Sequence, residues 1–77
     1  MHVLITGGSG FIGSHLTERL LAEGNSITIV DDLSTGRAKN LANVIHHPQL
    51  EVINADLGNE KLVRLQCRRA DLVYHLA

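Results

Sequence analysis

This 77-residue sequence has a single cysteine, no long apolar run and no basic segment at its N-terminus. Because Cys67 stands alone, an internal disulfide is excluded; the composition suits a reducing cytoplasm, and we expect Cys67 to pack as a small apolar side chain. No apolar run approaches the roughly 18 residues that span a bilayer, so we expect no membrane segment. The start of the chain lacks the basic region of a signal peptide, and we expect a cytoplasmic protein.

Clustered positive charge and metal-ligand spacings are also missing. The net charge is −1 and Arg68-Arg69 is only a pair, which leaves nucleic-acid binding unsupported. Five histidines are present, but no Cys/His spacing is typical of a zinc site, so we expect no bound metal. The chain is 44% apolar and 19% charged, the composition of one small globular domain.

The apolar pattern alternates between strand and helix periodicity. It predicts four strands, over 2–6, 26–31, 50–53 and 72–76, with helices over 11–23, 37–45 and 60–67. This alternation is typical of an α/β doubly wound parallel sheet in the order 3-2-1-4, with the ligand crevice between the carboxyl ends of strands one and four. The fourth strand suits burial on both faces, yet nothing in the chain follows it, so we interpret the sheet as incomplete.

Local signals define the ends of the helices. In the first helix, Ile12, Leu16 and Leu20 recur every four positions, which predicts a buried stripe that Leu21 widens. Gly24 is typical of a helix C-terminus, and Asn59 is expected to cap the helix over 60–67.

A glycine-rich run, Gly-Gly-Ser-Gly-Phe-Ile-Gly, occupies positions 7–13 between the first strand and the first helix. The first N–H groups of a helix lack partners and its dipole favours negative charge, while glycine lets a pyrophosphate approach the backbone. Asp31 lies 18 positions beyond Gly13, near the spacing of a carboxylate that holds an adenosine ribose. A P-loop is excluded because Ser14 stands where lysine is required. A purely structural turn is the alternative.

Four segments of the chain resemble the extended short-chain dehydrogenase/reductases, and among them the NAD-dependent epimerase/dehydratases that act on nucleotide sugars. The segments are 6–16, 31–36 with the later Asn40-Leu41, 55–57 and 71–77. The resemblance covers the whole chain and implies a Rossmann-type domain, of which residues 1–77 would be the N-terminal half.

The resemblance also implies which residues bind the cofactor, NAD. Gly7, Gly10, Phe11, Ile12 and Gly13 would surround the pyrophosphate, Asp31, Asp32, Leu33, Ser34, Thr35 and Gly36 the adenosine ribose, Asp56 and Leu57 the adenine, and Leu76 and Ala77 the nicotinamide side.

Some of these roles have an alternative. A carboxylate at Asp31 repels a 2′-phosphate and so favours NAD over NADP, but the nearby Arg37 is able to accept such a phosphate. Asp56 could instead be a turn or helix-start carboxylate, and Leu76 and Ala77 could be plain strand core.

The Tyr-x-x-x-Lys pair on which catalysis rests in this family has no counterpart here, since Tyr74 is the only tyrosine and lies in the fourth predicted strand. No catalytic residue is therefore assigned. The resemblance implies that the parent protein is a homodimeric nucleotide-sugar epimerase of the UDP-glucose 4-epimerase type, which oxidises the sugar C4 transiently. A dehydratase or UDP-glucuronate decarboxylase of the same family is an alternative, as is a non-catalytic NAD-sensing or interaction module.

Overall fold

The computed structural model describes residues 1–7, 9–33 and 37–76, without the side chains of residues 37 and 38. Along the chain the elements are β1 (His2–Thr6), α1 (Phe11–Ala22), β2 (Ser26–Asp31), the 3₁₀ helix η1 (Arg37–Leu41), β3 (Leu50–Asn54), α2 (Glu60–Arg69) and β4 (Leu72–His75). The α/β alternation predicted from the sequence is thus confirmed. The predicted helix over 37–45 is shorter than expected, since only its first five residues are helical and turns follow.

The four strands form one parallel sheet in the order β3-β2-β1-β4, as predicted. The register pairs Thr6 of β1 with Val30 on one side and His75 on the other, and it pairs Asp31 with Asn54. All four carboxyl ends therefore meet at one edge of the sheet. This is the edge at which open parallel sheets bind their ligands.

The core lies between one face of the sheet and helix α1. Successive strand residues point to opposite faces, so every second residue of β1 and β2 turns toward this helix. Seven buried side chains form the cluster: Val3, Ile5, Leu20, Leu21, Ile27, Ile29 and Leu41. Leu41 comes from η1, which fixes that short helix to the core.

The buried face of α1 differs from the predicted stripe. Ile12 is 72% exposed, whereas the buried residues of the helix are Gly13, Ser14, Thr17, Leu20 and Leu21. The prediction for Ile12 was wrong because the small residues Gly13, Ser14 and Thr17 form the buried face at the start of the helix. Burial follows the row 13, 17, 20, which lies about 100° around the helix from Ile12.

The helix ends follow the predicted signals more closely. Gly24 adopts the left-handed conformation (φ +89°) and its N–H donates to the Leu21 carbonyl at 3.0 Å. Asn59 caps α2, because its Oδ1 accepts from the Leu62 N–H at 3.3 Å. Within the described residues, no helix is long and apolar enough to span a bilayer.

Strand β4 and Cys67 are more exposed than predicted. Val73 of β4 is 43% exposed and Cys67 on α2 is also exposed. β4 lies at the edge of the sheet, as expected of an incomplete sheet, and the described residues place no further strand against it. The expectation that Cys67 packs as a small apolar side chain was wrong, since it is exposed on α2.

Candidate cofactor-binding site

A cleft of about 440 Å³ lies at the carboxyl ends of β1 and β4, where the strand order predicted a crevice. It is lined by Gly7, Gly10, Phe11, Ile12, Gly13, Asn40 and Leu76. All of these except Asn40 were among the cofactor-binding residues predicted from the sequence. The structure therefore brings the glycine run and the end of β4 together around one space.

The glycine run leaves the start of α1 open to this cleft. Gly7 turns the chain at the end of β1 with φ +76°, a conformation that side chains other than glycine rarely adopt. Gly10 is the N-cap residue, and the first bond within the helix runs from the Ser14 N–H to the Gly10 carbonyl at 2.8 Å. The N–H groups of Phe11, Ile12 and Gly13 thus have no acceptor inside the helix.

The charge at this helix start favours an anion. Phe11, Ile12 and Gly13 form the first turn and none of them is acidic, so no carboxylate of the turn offsets the positive end of the helix dipole. A pyrophosphate would supply the negative charge and the acceptor oxygens that the open N–H groups lack. The residues present thus fit the central group of a dinucleotide.

Asp31 lies beside the glycine run at the end of β2. Its side chain is buried, with Oδ2 accepting from the Ser9 N–H at 3.3 Å and Oδ1 from the Leu33 N–H at 2.9 Å. A carboxylate has about four acceptor positions, and the described residues fill two of them. Leu33 adopts φ +57°, an uncommon conformation for a residue other than glycine, which turns the chain away from the strand.

Asp56 and Leu57 follow β3 at the same edge of the sheet. The Ala55 N–H donates to the Asp31 carbonyl at 3.1 Å, which ties this segment to the end of β2. Asp56 is exposed and its Oδ1 accepts from the Gly58 N–H at 2.7 Å, so it forms the turn that the sequence offered as its alternative role. Neither residue lines the cleft, so an adenine reaching them would extend past Asp31.

The remaining predicted residues divide into two groups. Asp32 is exposed on the chain that leaves β2. The predicted roles of Ser34, Thr35, Gly36 and Ala77, and that of the Arg37 side chain, fall outside the described residues.

The end of β4 is attached to β1. The Leu76 N–H donates to the Thr6 carbonyl at 2.9 Å, and Thr6 Oγ1 hydrogen-bonds His75 Nδ1 at 2.5 Å. Leu76 is 40% exposed and faces the cleft, so it is not fully buried strand core.

We expect Thr6→Val to lower the free energy of unfolding by about 0.5–1.5 kcal/mol, the net value of one hydrogen bond. Valine keeps the branched shape at this buried position but removes the hydroxyl that His75 contacts. Urea unfolding measures the effect, and an unchanged midpoint would show that the Thr6–His75 bond does not hold the end of β4.

Asn40 is the residue of the cleft that the predicted site lacked. Its Nδ2 donates to the Ser9 carbonyl at 3.0 Å, across 31 positions of sequence. The signal for it was weak: it belongs to a segment of the family resemblance, but no spacing rule assigns a function to an asparagine there.

The comparison with protein families is consistent with this geometry. Residues 3–77 match the model of the NAD dependent epimerase/dehydratase family. The chain belongs to this family. The cofactor of this family is NAD, a dinucleotide whose central group is a pyrophosphate.

The chain is similar to one part of several longer members of the family. It is 43% identical over 75 residues to UDP-glucuronic acid decarboxylase 1 of Danio rerio, covering 97% of this chain and 17% of that protein. It is 41% identical over 78 residues to UDP-glucose 4-epimerase of Mycolicibacterium smegmatis, covering 100% of this chain and 25% of that protein. The structure of WbmG from Bordetella bronchiseptica in complex with NAD and UDP superposes with a TM-score of 0.84 at 30% identity, covering 97% of this chain and 24% of that one. The chain thus spans a quarter or less of the length of these relatives.

Proposed function

We propose that this chain is the NAD-binding part of a nucleotide-sugar epimerase of the UDP-glucose 4-epimerase type. The observation that carries the proposal is the open N-terminus of α1, which faces a glycine-lined cleft beside the buried carboxylate of Asp31. The substrate would be a nucleotide sugar and the parent protein a homodimer, as the family resemblance implies.

The glycine run would hold the pyrophosphate. The N–H groups of Phe11 and Ile12 are available to donate to its oxygens, and the absence of a side chain at Gly7 and Gly10 leaves the backbone accessible from the cleft. Because the run is tied to β2 through Ser9 and Asp31, these donors are ordered before the cofactor arrives.

Asp31 would accept hydrogen bonds from the hydroxyls of the adenosine ribose. Its carboxylate is fixed by the Ser9 and Leu33 N–H groups, which restrict its rotation. A fixed negative charge here also opposes a 2′-phosphate, which supports NAD rather than NADP as the cofactor. Asp56 and Leu57 would receive the adenine further along the same edge.

When bound, NAD supplies the hydride acceptor for oxidation at the sugar C4. The contribution of the described residues is to bind the cofactor and orient it, with Leu76 on the nicotinamide side. Tyr74 packs against the core cluster, which supports a structural role and not proton transfer for the only tyrosine.

A second candidate is a UDP-glucuronate decarboxylase, because the chain is as similar to the Danio rerio decarboxylase (43% identity over 75 residues) as to the epimerase (41% over 78 residues). To test this, the full-length protein that contains this chain is incubated separately with UDP-glucose and with UDP-glucuronate, and the products are identified. An epimerase inverts C4 of the UDP-hexose with no loss of mass, whereas a decarboxylase converts UDP-glucuronate to a UDP-pentose and CO₂. NAD binding with neither product would favour the non-catalytic module.

A further inference from the structure

We propose that Asn40 is a positioning residue, which holds the glycine run in the arrangement that binds the pyrophosphate. The inference rests on the proposed function, because it concerns the same cleft. It assigns to Asn40 an effect on cofactor affinity that passes through Ser9 and Gly10, without requiring contact between Asn40 and the cofactor.

The first observation is the bond between η1 and the glycine run. Asn40 Nδ2 donates to the Ser9 carbonyl at 3.0 Å. The next residue, Leu41, is 1% exposed and belongs to the core cluster. Asn40 therefore extends from an anchored backbone, and its amide is a fixed point for the loop that it contacts.

The second observation is that Ser9 is held on both sides. Its N–H donates to Asp31 Oδ2 and its carbonyl accepts from Asn40, while the residue itself is fully buried. The two bonds fix the two peptide groups that flank Ser9. Loss of Asn40 would leave Ser9 held through its N–H alone and would remove the side-chain bond to the Ser9–Gly10 peptide.

That peptide leads directly into α1. Gly10 is the N-cap residue, and its carbonyl accepts the first bond of the helix. Among the described residues every peptide bond is trans, so an Asn40 bond to the Ser9 carbonyl also sets the direction of the Gly10 N–H. Glycine on its own rotates freely, and this restraint must come from elsewhere in the fold.

The bond from Asn40 would preorganise the glycine run for binding the pyrophosphate. A glycine loop that is free before binding must be ordered by the ligand, and the cost reduces affinity for any ligand that uses the loop. Ligands with a pyrophosphate should lose affinity when Asn40 is removed. Adenosine, which has no phosphate, should not.

The experiment measures NAD, ADP-ribose and adenosine binding to the protein at its native length, in the Asn40→Ala and Asn40→Asp variants. Asn25→Ala is the matched control, because Asn25 Nδ2 also donates to a backbone carbonyl at 3.0 Å, that of Leu20, at the opposite end of α1. Asn40→Asp keeps the size of the side chain, so it covers the case in which alanine at this position prevents folding.

We expect Asn40→Ala to weaken NAD and ADP-ribose binding by about tenfold, the effect of one lost hydrogen bond, with adenosine unchanged. Asn40→Asp should weaken both more, since it adds a negative charge beside the cleft. Asn25→Ala should lower stability but leave all three affinities unchanged. Equal losses for NAD and adenosine, or unchanged NAD affinity in both Asn40 variants, would overturn the inference. Absence of NAD binding in the unmodified protein would instead refute the proposed function.

Discussion

Asp31→Asn will weaken NAD binding by about 10- to 100-fold, because each hydrogen bond to a charged acceptor contributes about 1.5–3 kcal/mol. The substitution keeps the shape of the side chain but removes the negative charge. It also replaces one acceptor oxygen by a donor, so that either Ser9 or Leu33 loses the partner of its N–H. The preference for NAD over NADP should fall as well, since the repulsion of a 2′-phosphate disappears. Calorimetric titration of both dinucleotides measures the two effects.

The control for this substitution is Asp71→Asn. Asp71 Oδ2 accepts from the His2 N–H at 2.8 Å, so this carboxylate also contacts the backbone of the sheet. The contact lies at the amino end of β1, away from the carboxyl ends where the cleft is. We expect Asp71→Asn to lower stability without changing NAD affinity. If the Asp31 variant binds NAD as tightly as the unmodified protein, Asp31 does not bind the ribose.

Gly7→Val will reduce both stability and cofactor binding. At φ +76° a β-branched residue is strained, and the left-handed conformation costs about 1–2 kcal/mol for an ordinary side chain. The added side chain would also occupy the cleft that Gly7 lines. We therefore expect NAD affinity to fall by about 100-fold, equivalent to about 2.8 kcal/mol. Chemical unfolding and calorimetric titration of the same preparation separate the two losses.

Gly24→Val separates backbone strain from obstruction of the cleft. Gly24 has a similar conformation (φ +89°), but a Cβ built there meets nothing within 4 Å, and the residue lies at the far end of α1. Its valine variant should lose about 1–2 kcal/mol of stability and keep its NAD affinity. If the two variants weaken NAD binding equally, the effect at Gly7 is strain alone.

The strands were predictable because β1 and β2 carry near-continuous apolar and β-branched residues, and a parallel sheet requires helices between its strands. The boundaries of β1 and β2 agree with the structure. The prediction was wrong where burial depends on neighbours distant in sequence. Ile12 has the periodicity of a core residue, but only the packing of α1 on the sheet decides that Gly13, Ser14 and Thr17 are buried instead. Cys67 and β4 stay exposed because no described element covers them.

Part of the candidate site could also be predicted from the sequence. The glycine run and Asp31 act through local backbone geometry, which their residue types and spacing reveal. Asn40 acts through one bond to a residue 31 positions away, and only the fold brings the two together. For Asp56 the residue type alone could not decide between two roles, because an aspartate fits both a turn and an adenine contact. Its bond to the Gly58 N–H accounts for the turn only.

A crystal structure of the protein with NAD would show whether the start of α1 binds the pyrophosphate. We expect pyrophosphate oxygens within about 2.7–3.2 Å of the backbone nitrogens of Phe11 and Ile12, with the adenosine ribose hydroxyls hydrogen-bonded to Asp31. A dinucleotide whose pyrophosphate lies out of reach of the α1 N-terminus would contradict this expectation.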